Sequence, residues 1–431
     1  MRFHLHQTHH TIADFSAILA GLRNIPQTPG VHLFPEMYLT GYPLADLCLQ
    51  ASFIDAYETH LSTVNAWAES LPASNDWVAL IGGLAYELGV DRVPLRIRNV
   101  IYEMRGGQKL KEIYTKRLLP NYDIFDEQKY FTPGDRPGVW EWQGHNFALL
   151  ICEDMWASSF HKLDPCLDLA ALKPKINFAG IINLSASPFD ALKQPKRISR
   201  SQTLSCLLQA PFLYVNRVGG EDEILFDGQS FVVDGRRTVH VAPAFESYTL
   251  TLDLPTGANY EAPGPMLLEH TWESLFAPHF SSAKALPRQL EAWDDNTCAL
   301  VWKALQYGLQ EYARKSGFKN FLIALSGGMD SALVLTIVRT SLKPGQEVEA
   351  IYMPSIHSAP LSWDLSASLC QRLGIRLVSM PIKFMHSNVK ISFQSTFAEP
   401  FEGLTDDNVQ SRLRGMLLYT RSNQTNAMVV N

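Results

Sequence analysis

Two short stretches carry residues whose types and spacing could do chemistry. In FALLICEDMW an apolar run gives way, at Cys152, to two acids. A thiol is a poor nucleophile until it loses its proton, so it needs a base or a cation close by. Candidates stand at the ends of two other strand-like runs, Glu36 in LFPEMYLTGYPLADL and Lys116 in YTKRLLPNYDIFDEQKYFTPG. Taken singly, Cys152 also fits a small core residue, Glu36 an ion-paired surface acid and Lys116 a solvated lysine. The second stretch is ALSGGMDSAL, in which an apolar strand pattern, a glycine turn and an apolar helix pattern follow one another. It is not a Walker loop, because no GKS or GKT follows the glycines. The physics is related: glycines let backbone N–H groups approach phosphate oxygens, serines add hydroxyl donors, and the helix expected to begin near Asp330 offers its N-terminus.

These residues need a scaffold, and the surrounding pattern predicts one. Strand-like runs occur at WVALIGGLAY (77–86), NVIYEM (99–104), FALLIC (147–152), GIINLSA (180–186) and FLYVNRV (212–218), with helical patterns such as DFSAILAGLRNI (14–25) and KRISRSQTLSCLLQA (196–210) between several of them. Continuous rather than alternating apolar strands point to sheets buried on both faces, hence α/β layers. NVIYEMRGGQKLKEIYTK, with Gly106 and Gly107 at its centre, predicts an antiparallel hairpin. Between about 255 and 290 the texture turns rich in Pro, Gly and Ala without a period, as in a linker. From about 294 a helix, the strand NFLIAL, the glycine turn, a helix and the strand EVEAIYMP form a βαβ start of the doubly wound class. NAMVVN reads as a further buried strand. The N-terminal histidines 4, 6, 9 and 10 alternate as on an edge strand rather than as metal ligands.

Bulk properties narrow the class. The chain has 431 residues, 46% of them apolar and 19% charged, which suggests two or three globular domains. A formal charge of −6 argues against a nucleic-acid-coating surface. No apolar run reaches the ~18 residues of a membrane span, and MRFHLHQTHHTIADF lacks the features of a signal peptide. Cysteines 48, 152, 166, 206, 298 and 370 are scattered without a CxxC pair, as expected for reduced thiols in a cytoplasmic protein.

The three strings around Glu36, Lys116 and Cys152 resemble, in order and separation, the signature segments of the nitrilase superfamily. That resemblance implies a four-layer α-β-β-α sandwich that hydrolyses amides. Cys152 would form a thioester, Glu36 would be the general base, and Lys116 would stabilise the tetrahedral oxyanion. PEMYLTGYP, LPNYDIFDEQKYFTPG, ICEDMW, NLSASPF and YVNRVGGEDEILFDG together are more specific and resemble the glutaminase domain of glutamine-dependent NAD synthetases. By that match Tyr42, Tyr122, Glu127, Glu153, Ser187 and Lys193 become candidates for orienting the triad or binding glutamine. Glu127 would be the second acid near the lysine, and Tyr122 and Ser187 would face the substrate.

Ser326 to Ser331 resemble the PP-loop of the N-type ATP pyrophosphatases, which cleave ATP between its α and β phosphates and adenylate a carbonyl or carboxylate. This implies an adenine nucleotide alpha hydrolase-like domain binding ATP at Ser326, Gly327, Gly328, Asp330, Ser331 and Met353, with Asp330 as magnesium ligand and no tightly bound cofactor. DDNVQSRLRGMLLYTRSN (406–423) resembles the family's ENxQxRxR helix, with Asn408, Gln410, Arg412 and Arg414 matching. Asn408, Arg412 and Arg414 would then contact deamido-NAD, although an amphipathic helix with a basic face is the plainer reading.

The resemblance implies a glutaminase domain over 1–255, a linker over 256–290 and the N-terminal part of a synthetase domain over 291–431. The whole would be a ligase that moves ammonia from glutamine to adenylated deamido-NAD, and a homo-oligomer without nucleic-acid or membrane partners. The family pattern continues past AMVVN with a TGNKSE-like segment, so the second sheet is expected to show an open apolar edge. Arg217 stands where the family has Gln or Asn, and IHSAPLSWDLSAS matches its pattern loosely. A stand-alone amidase and a non-catalytic scaffold are the alternatives.

Overall fold

The computed structural model describes residues 1–24, 28–157, 161, 163–254 and 293–431. The linker expected over 256–290 lies outside the described residues. The chain divides into two compact units, Met1–Leu300 and Val301–Asn431.

The strands of the first unit are β1 (Arg2–Gln7), β2 (Gly30–Leu33), β3 (Trp77–Leu88), β4 (Pro94–Met104), β5 (Lys111–Thr115), β6 (Gly138–Trp142), β7 (His145–Ile151), β8 (Phe178–Ser185), β9 (Phe212–Asn216), β10 (Val218–Glu221), β11 (Ile224–Asp227), β12 (Phe231–Asp234), β13 (Arg237–Val241) and β14 (Tyr248–Asp253). They form two six-stranded sheets, ordered β14-β1-β2-β3-β4-β5 and β13-β12-β9-β8-β7-β6, and a separate β10-β11 hairpin. The continuous apolar runs are explained by the two-residue period of a strand. In β3, Val78 and Leu80 join a core between the sheets, built with Leu149, Ile151, Ile182 and Val215 of the second sheet. Ala79 and Ile81 point the other way, under helices Phe15–Arg23 and Ala51–Ser70. The outer face of the second sheet packs Leu150, Ile181 and Phe212 under helices Pro165–Leu172 and Lys193–Leu208. The result is the α-β-β-α order.

The histidine-rich first strand is not an edge. β1 lies between β2 and β14, and its antiparallel register runs from Arg2↔Asp253 to Gln7↔Tyr248. A partner at the far end of the unit leaves no trace in the local pattern. His4 and His6 stack with His32 of β2 at centroid distances of 4.3 and 5.2 Å. His6 Nε2 lies 3.0 Å from His32 Nδ1. Burial pushes all three imidazoles down, His6 to about 3 and His32 to about 4. The unfolded chain protonates His6 and His32 near pH 6.5, whereas in the folded chain they resist until well below it. Stability is therefore flat above about pH 6.5 and falls with acidification, by up to about 1.4 kcal/mol per pH unit for each of His6 and His32. Thermal unfolding of the first unit at about pH 5 and about pH 7.5 should show the lower midpoint in acid, and His6→Gln should shrink the difference. An unaltered difference in the variant would exclude the stack as its source.

In the second unit β15 (Asn320–Ala324), β16 (Glu347–Tyr352), β17 (Leu377–Ser379) and β18 (Ala427–Val429) form an all-parallel sheet ordered β17-β16-β15-β18. Helices Asp295–Ser316, Met329–Ser341 and Pro360–Leu373 meet one face through Ala313, Leu335 and Cys370. Leu418 of helix Leu404–Thr425 packs on the other face against Leu322 and Ile351. This is the doubly wound arrangement. β18, read from NAMVVN, is one of the two outer strands among the described residues, with Ala427 buried and Met428 and Val429 half-buried. Among the described residues no helix is long and apolar enough to cross a membrane.

Candidate active site

Glu36 sits just past β2, where the chain turns sharply. Gly82 of the neighbouring β3 makes room for that turn, since a Cβ there would lie 2.4 Å from both Pro35 O and Met37 N. Lys116 follows β5, its backbone N–H donating to Asn99 O of β4 at 2.8 Å. Cys152 follows β7 with φ of 43°, a left-handed conformation that is strained for a non-glycine residue and frequent at reactive sites. Asn183 of β8 holds it there, accepting from the Cys152 N–H at 2.7 Å.

Lys116 Nζ donates to Glu36 Oε1 at 2.7 Å and to Glu127 Oε1 at 2.9 Å, and all three side chains are buried. Glu36 also accepts from Asn99 Nδ2 and from the N–H of Ala186, each at 2.8 Å. Tyr42 Oη donates to Glu127 at 2.8 Å. Burial alone would drive the Lys116 ammonium towards neutrality, but the charges of Glu127 and Glu36 outweigh it and hold the lysine well above its ordinary value. One positive charge cannot neutralise two carboxylates, and it is Glu127 whose carboxyl is pushed up, by burial and by the charge on Glu36. Burial and Glu36 likewise push the Cys152 thiol well up, so it rests protonated beside a potential base.

A cavity of about 550 Å³ opens onto Lys116 and Cys152. Of the side chains expected to meet substrate, Tyr42, Tyr122, Glu153, Ser187 and Lys193 line it, while Glu127 is not among its lining residues. Tyr122 Oη donates to Glu153 Oε2 at 2.9 Å, and burial lifts the Glu153 carboxyl to about 8. Burial, then the charge of Arg197, lowers Lys193 to about 8. Several residues that position these groups escaped the sequence reading. Asn216 accepts from the Ser187 N–H at 2.8 Å, and Arg197 donates to Ser187 O and pairs with Asp227 at 2.8 Å in full burial. Asn99, Asn183 and Asn216 stand in or at the end of apolar strands, and a polar amide in such a run was the available signal. Arg217 is buried too, with its guanidinium donating to the carbonyls of Tyr42 and His10, pairing with Glu221 and lying 4.6 Å over the Phe226 ring. It ties the Tyr42 turn to the β10-β11 hairpin.

In the second unit the glycine turn links β15 to helix Met329–Ser341. Ser326 Oγ lies 3.0 Å from Ser331 Oγ and accepts from the Gly328 N–H at 3.2 Å. Gly327 has φ of 80°, and a Cβ there would meet Ser362 O at 2.6 Å. Asp330 is exposed in the first helical turn. A magnesium ion carried largely by phosphates and water needs only one or two carboxylates, and Asp330 fits that demand. Among the described residues no group of three or more His, Cys, Asp or Glu could hold a metal by itself. Arg414 Nε donates to Met353 O at 3.1 Å, joining helix Leu404–Thr425 to the loop after β16. Arg412 bonds the Asn408 carbonyl of the same helix at 3.2 Å, and both residues are exposed.

The sandwich, with its buried Glu36 and Lys116 beside the half-buried Cys152, places the first unit in the carbon-nitrogen hydrolase class, and the model of that family, "Carbon-nitrogen hydrolase", matches residues 26–258. The "NAD synthase" model matches residues 301–431. The glutamine-dependent NAD(+) synthetase of Aquifex aeolicus is 30% identical over 99% of this chain and 74% of its own length. That of Xylella fastidiosa (strain 9a5c) is 32% identical over 93% of this chain. The solved structure of glutamine-dependent NAD+ synthetase from Acinetobacter baumannii in complex with ADP superposes with a TM-score of 0.77 at 25% identity, covering 99% of this chain and 73% of that one. The chain belongs to the glutamine-dependent NAD(+) synthetase family. It spans 66% of the length of the Xylella relative.

Proposed function

We propose that residues 1–255 are a glutaminase and residues 291–431 the ATP-binding part of an NAD synthetase. The observation that carries the first half is the Lys116 ammonium held between Glu36 and Glu127 beside the cavity that contains Cys152. Glu36 takes the thiol proton as Sγ attacks the glutamine amide carbon. Lys116, with backbone N–H groups, stabilises the oxyanion, and Glu36 returns the proton to the departing ammonia. Water, deprotonated by Glu36, then cleaves the thioester and releases glutamate. Tyr42, Tyr122, Glu127, Glu153, Ser187 and Lys193 orient the triad and the substrate.

Ammonia is a poor nucleophile towards a carboxylate, whereas an acyl adenylate offers AMP as leaving group. The second half supplies that activation: ATP adenylates the nicotinate carboxylate of deamido-NAD, pyrophosphate leaves, and ammonia delivered from the first half displaces AMP. Ser326, Gly327, Gly328, Ser331 and Met353 would bind ATP, and Asn408, Arg412 and Arg414 the dinucleotide. Asp330 would hold the magnesium, which neutralises phosphate charge when bound. The residues after Leu300 carry more Lys and Arg than Asp and Glu, although the whole chain has 37 against 43, and this suits anionic substrates. Six unpaired thiols fit a reducing compartment, which we take to be the cytoplasm, and we expect a homo-oligomer.

Glutamate release and NAD formation, assayed separately, test this. ATP-dependent NAD formation from glutamine is the expected result. Glutamate without NAD would leave an amidase alone, and release of neither product would overturn the reading.

A further inference from the structure

Asp154 lies two residues beyond Cys152, fully buried and outside the cavity lining. Its Oδ1 accepts from the backbone N–H groups of Arg117 at 3.0 Å and Leu118 at 2.8 Å. Its Oδ2 accepts from the N–H of Ile151 at 3.0 Å and from Tyr114 Oη at 2.8 Å. Both oxygens thus accept from backbone N–H groups, two on Oδ1 and one on Oδ2, with Tyr114 Oη as the fourth partner. The four donors are not random. Arg117 and Leu118 directly follow Lys116, Tyr114 precedes it by two positions, and Ile151 directly precedes Cys152.

The sheet ladders cannot do this job. Lys116 extends β5, which among the described residues pairs only with β4, whereas Cys152 extends β7, which pairs with β6 and β8 in the other sheet. Stacked sheets are held about 10 Å apart by side-chain packing, which tolerates sliding far better than a hydrogen-bonded register does. We propose that Asp154 is a positioning residue that bolts the two sheets together at the active site and sets where the Lys116 ammonium stands relative to the Cys152 sulfur. A second tie runs beside it, because Arg117 Nη2 pairs with Asp168 of helix Pro165–Leu172 at 2.8 Å and the Cys166 thiol donates to Asp154 O at 3.4 Å.

This inference rests on the glutaminase reading, and Asp154→Asn tests it in the full chain. The amide keeps the shape but turns an N–H₂ towards at least one backbone N–H, so one side of the bolt must open. Glutamate release per folded molecule should fall about 10²-fold in kcat with KM within a few-fold, the scale of an ångström-sized misplacement. The pH profile of Cys152 alkylation by iodoacetamide, read on the Cys152 peptide by mass spectrometry, should move to higher pH as the ammonium leaves its place. A lower melting temperature with an unchanged alkylation profile and unchanged kcat would show that the bonds serve only the fold, and would overturn the proposal. If the variant does not fold, Tyr114→Phe removes one donor and keeps the carboxylate. It should lower kcat a few-fold and shift the profile in the same direction, and no shift would overturn the proposal. Failure of the wild-type protein to release glutamate would instead sink the glutaminase reading, while the alkylation profile would still judge the bolt.

Discussion

Cys152→Ala is expected to lower glutamine hydrolysis by at least about 10⁴-fold, the scale seen when a covalent nucleophile is removed. The fold should survive. Cys152 already sits at φ 43°, so alanine adds no new backbone strain, and losing one sulfur from the cavity wall costs about 1 kcal/mol or less. Glu36 is not left unpartnered either, because Lys116, Asn99 and the Ala186 N–H still serve its carboxylate. The loss should therefore appear in kcat without a large drop in melting temperature. NAD formation from glutamine should disappear with it, while formation driven by added ammonium salt, with ATP and deamido-NAD, should remain. Glutamate release within tenfold of wild type would show that another group is the nucleophile.

Gly327→Ala should do the reverse, abolishing ATP-dependent NAD formation while glutamate release persists. Two separate effects act at this position. The φ of 80° disfavours any L side chain, at roughly 1–2 kcal/mol. In addition, the new Cβ would stand 2.6 Å from Ser362 O and 2.8 Å from Ser362 Cα, both backbone atoms at the start of helix Pro360–Leu373. Backbone cannot swing aside as a flexible side chain can, so the loop itself must shift. A displacement on that scale would withdraw the Gly328 N–H and the Ser326–Ser331 pair from any phosphate, at about 10²-fold or more in rate. Gly345 supplies the control, having φ of 82° with nothing within 4 Å of its Cβ position. Gly345→Ala shares the strain without the clash and should keep synthesis near the wild-type rate. Equal losses in both variants would mean that backbone strain weakening the unit, and not the crowding at Ser362, accounts for the effect.

Much of this was legible locally, and particular residues show why. The hairpin around Gly106 and Gly107, the strands at 77–86 and 147–152 and the helix after the glycine turn follow from periodicity and turn chemistry, which act over a few residues. Cys152, Lys116 and Glu36 stood out because each closes an apolar run with a reactive side chain. The edge assignment of β1 failed because its second neighbour, β14, arrives only at Tyr248. Asn183 and Asn216 were passed over because asparagine in sequence speaks for turns. Only the paired strands show that they hold the Cys152 and Ser187 backbones.

The sequence by itself determined the layer class and marked Cys152 as the proposed nucleophile and Ser326 to Ser331 as a phosphate-type loop, since period, residue type and short motifs are local properties. Only the tertiary structure decided that the Lys116 charge serves two acids at once. Glu36 and Glu127 approach Lys116 from the end of β2 and from helix Glu127–Tyr130, and a single ammonium bonds both. It also decided that the lysine and the cysteine stand on different sheets, joined by the Asp154 carboxylate. Burial turns these contacts into chemistry, because a thiol, an ammonium and two carboxylates removed from water must settle their charges with one another.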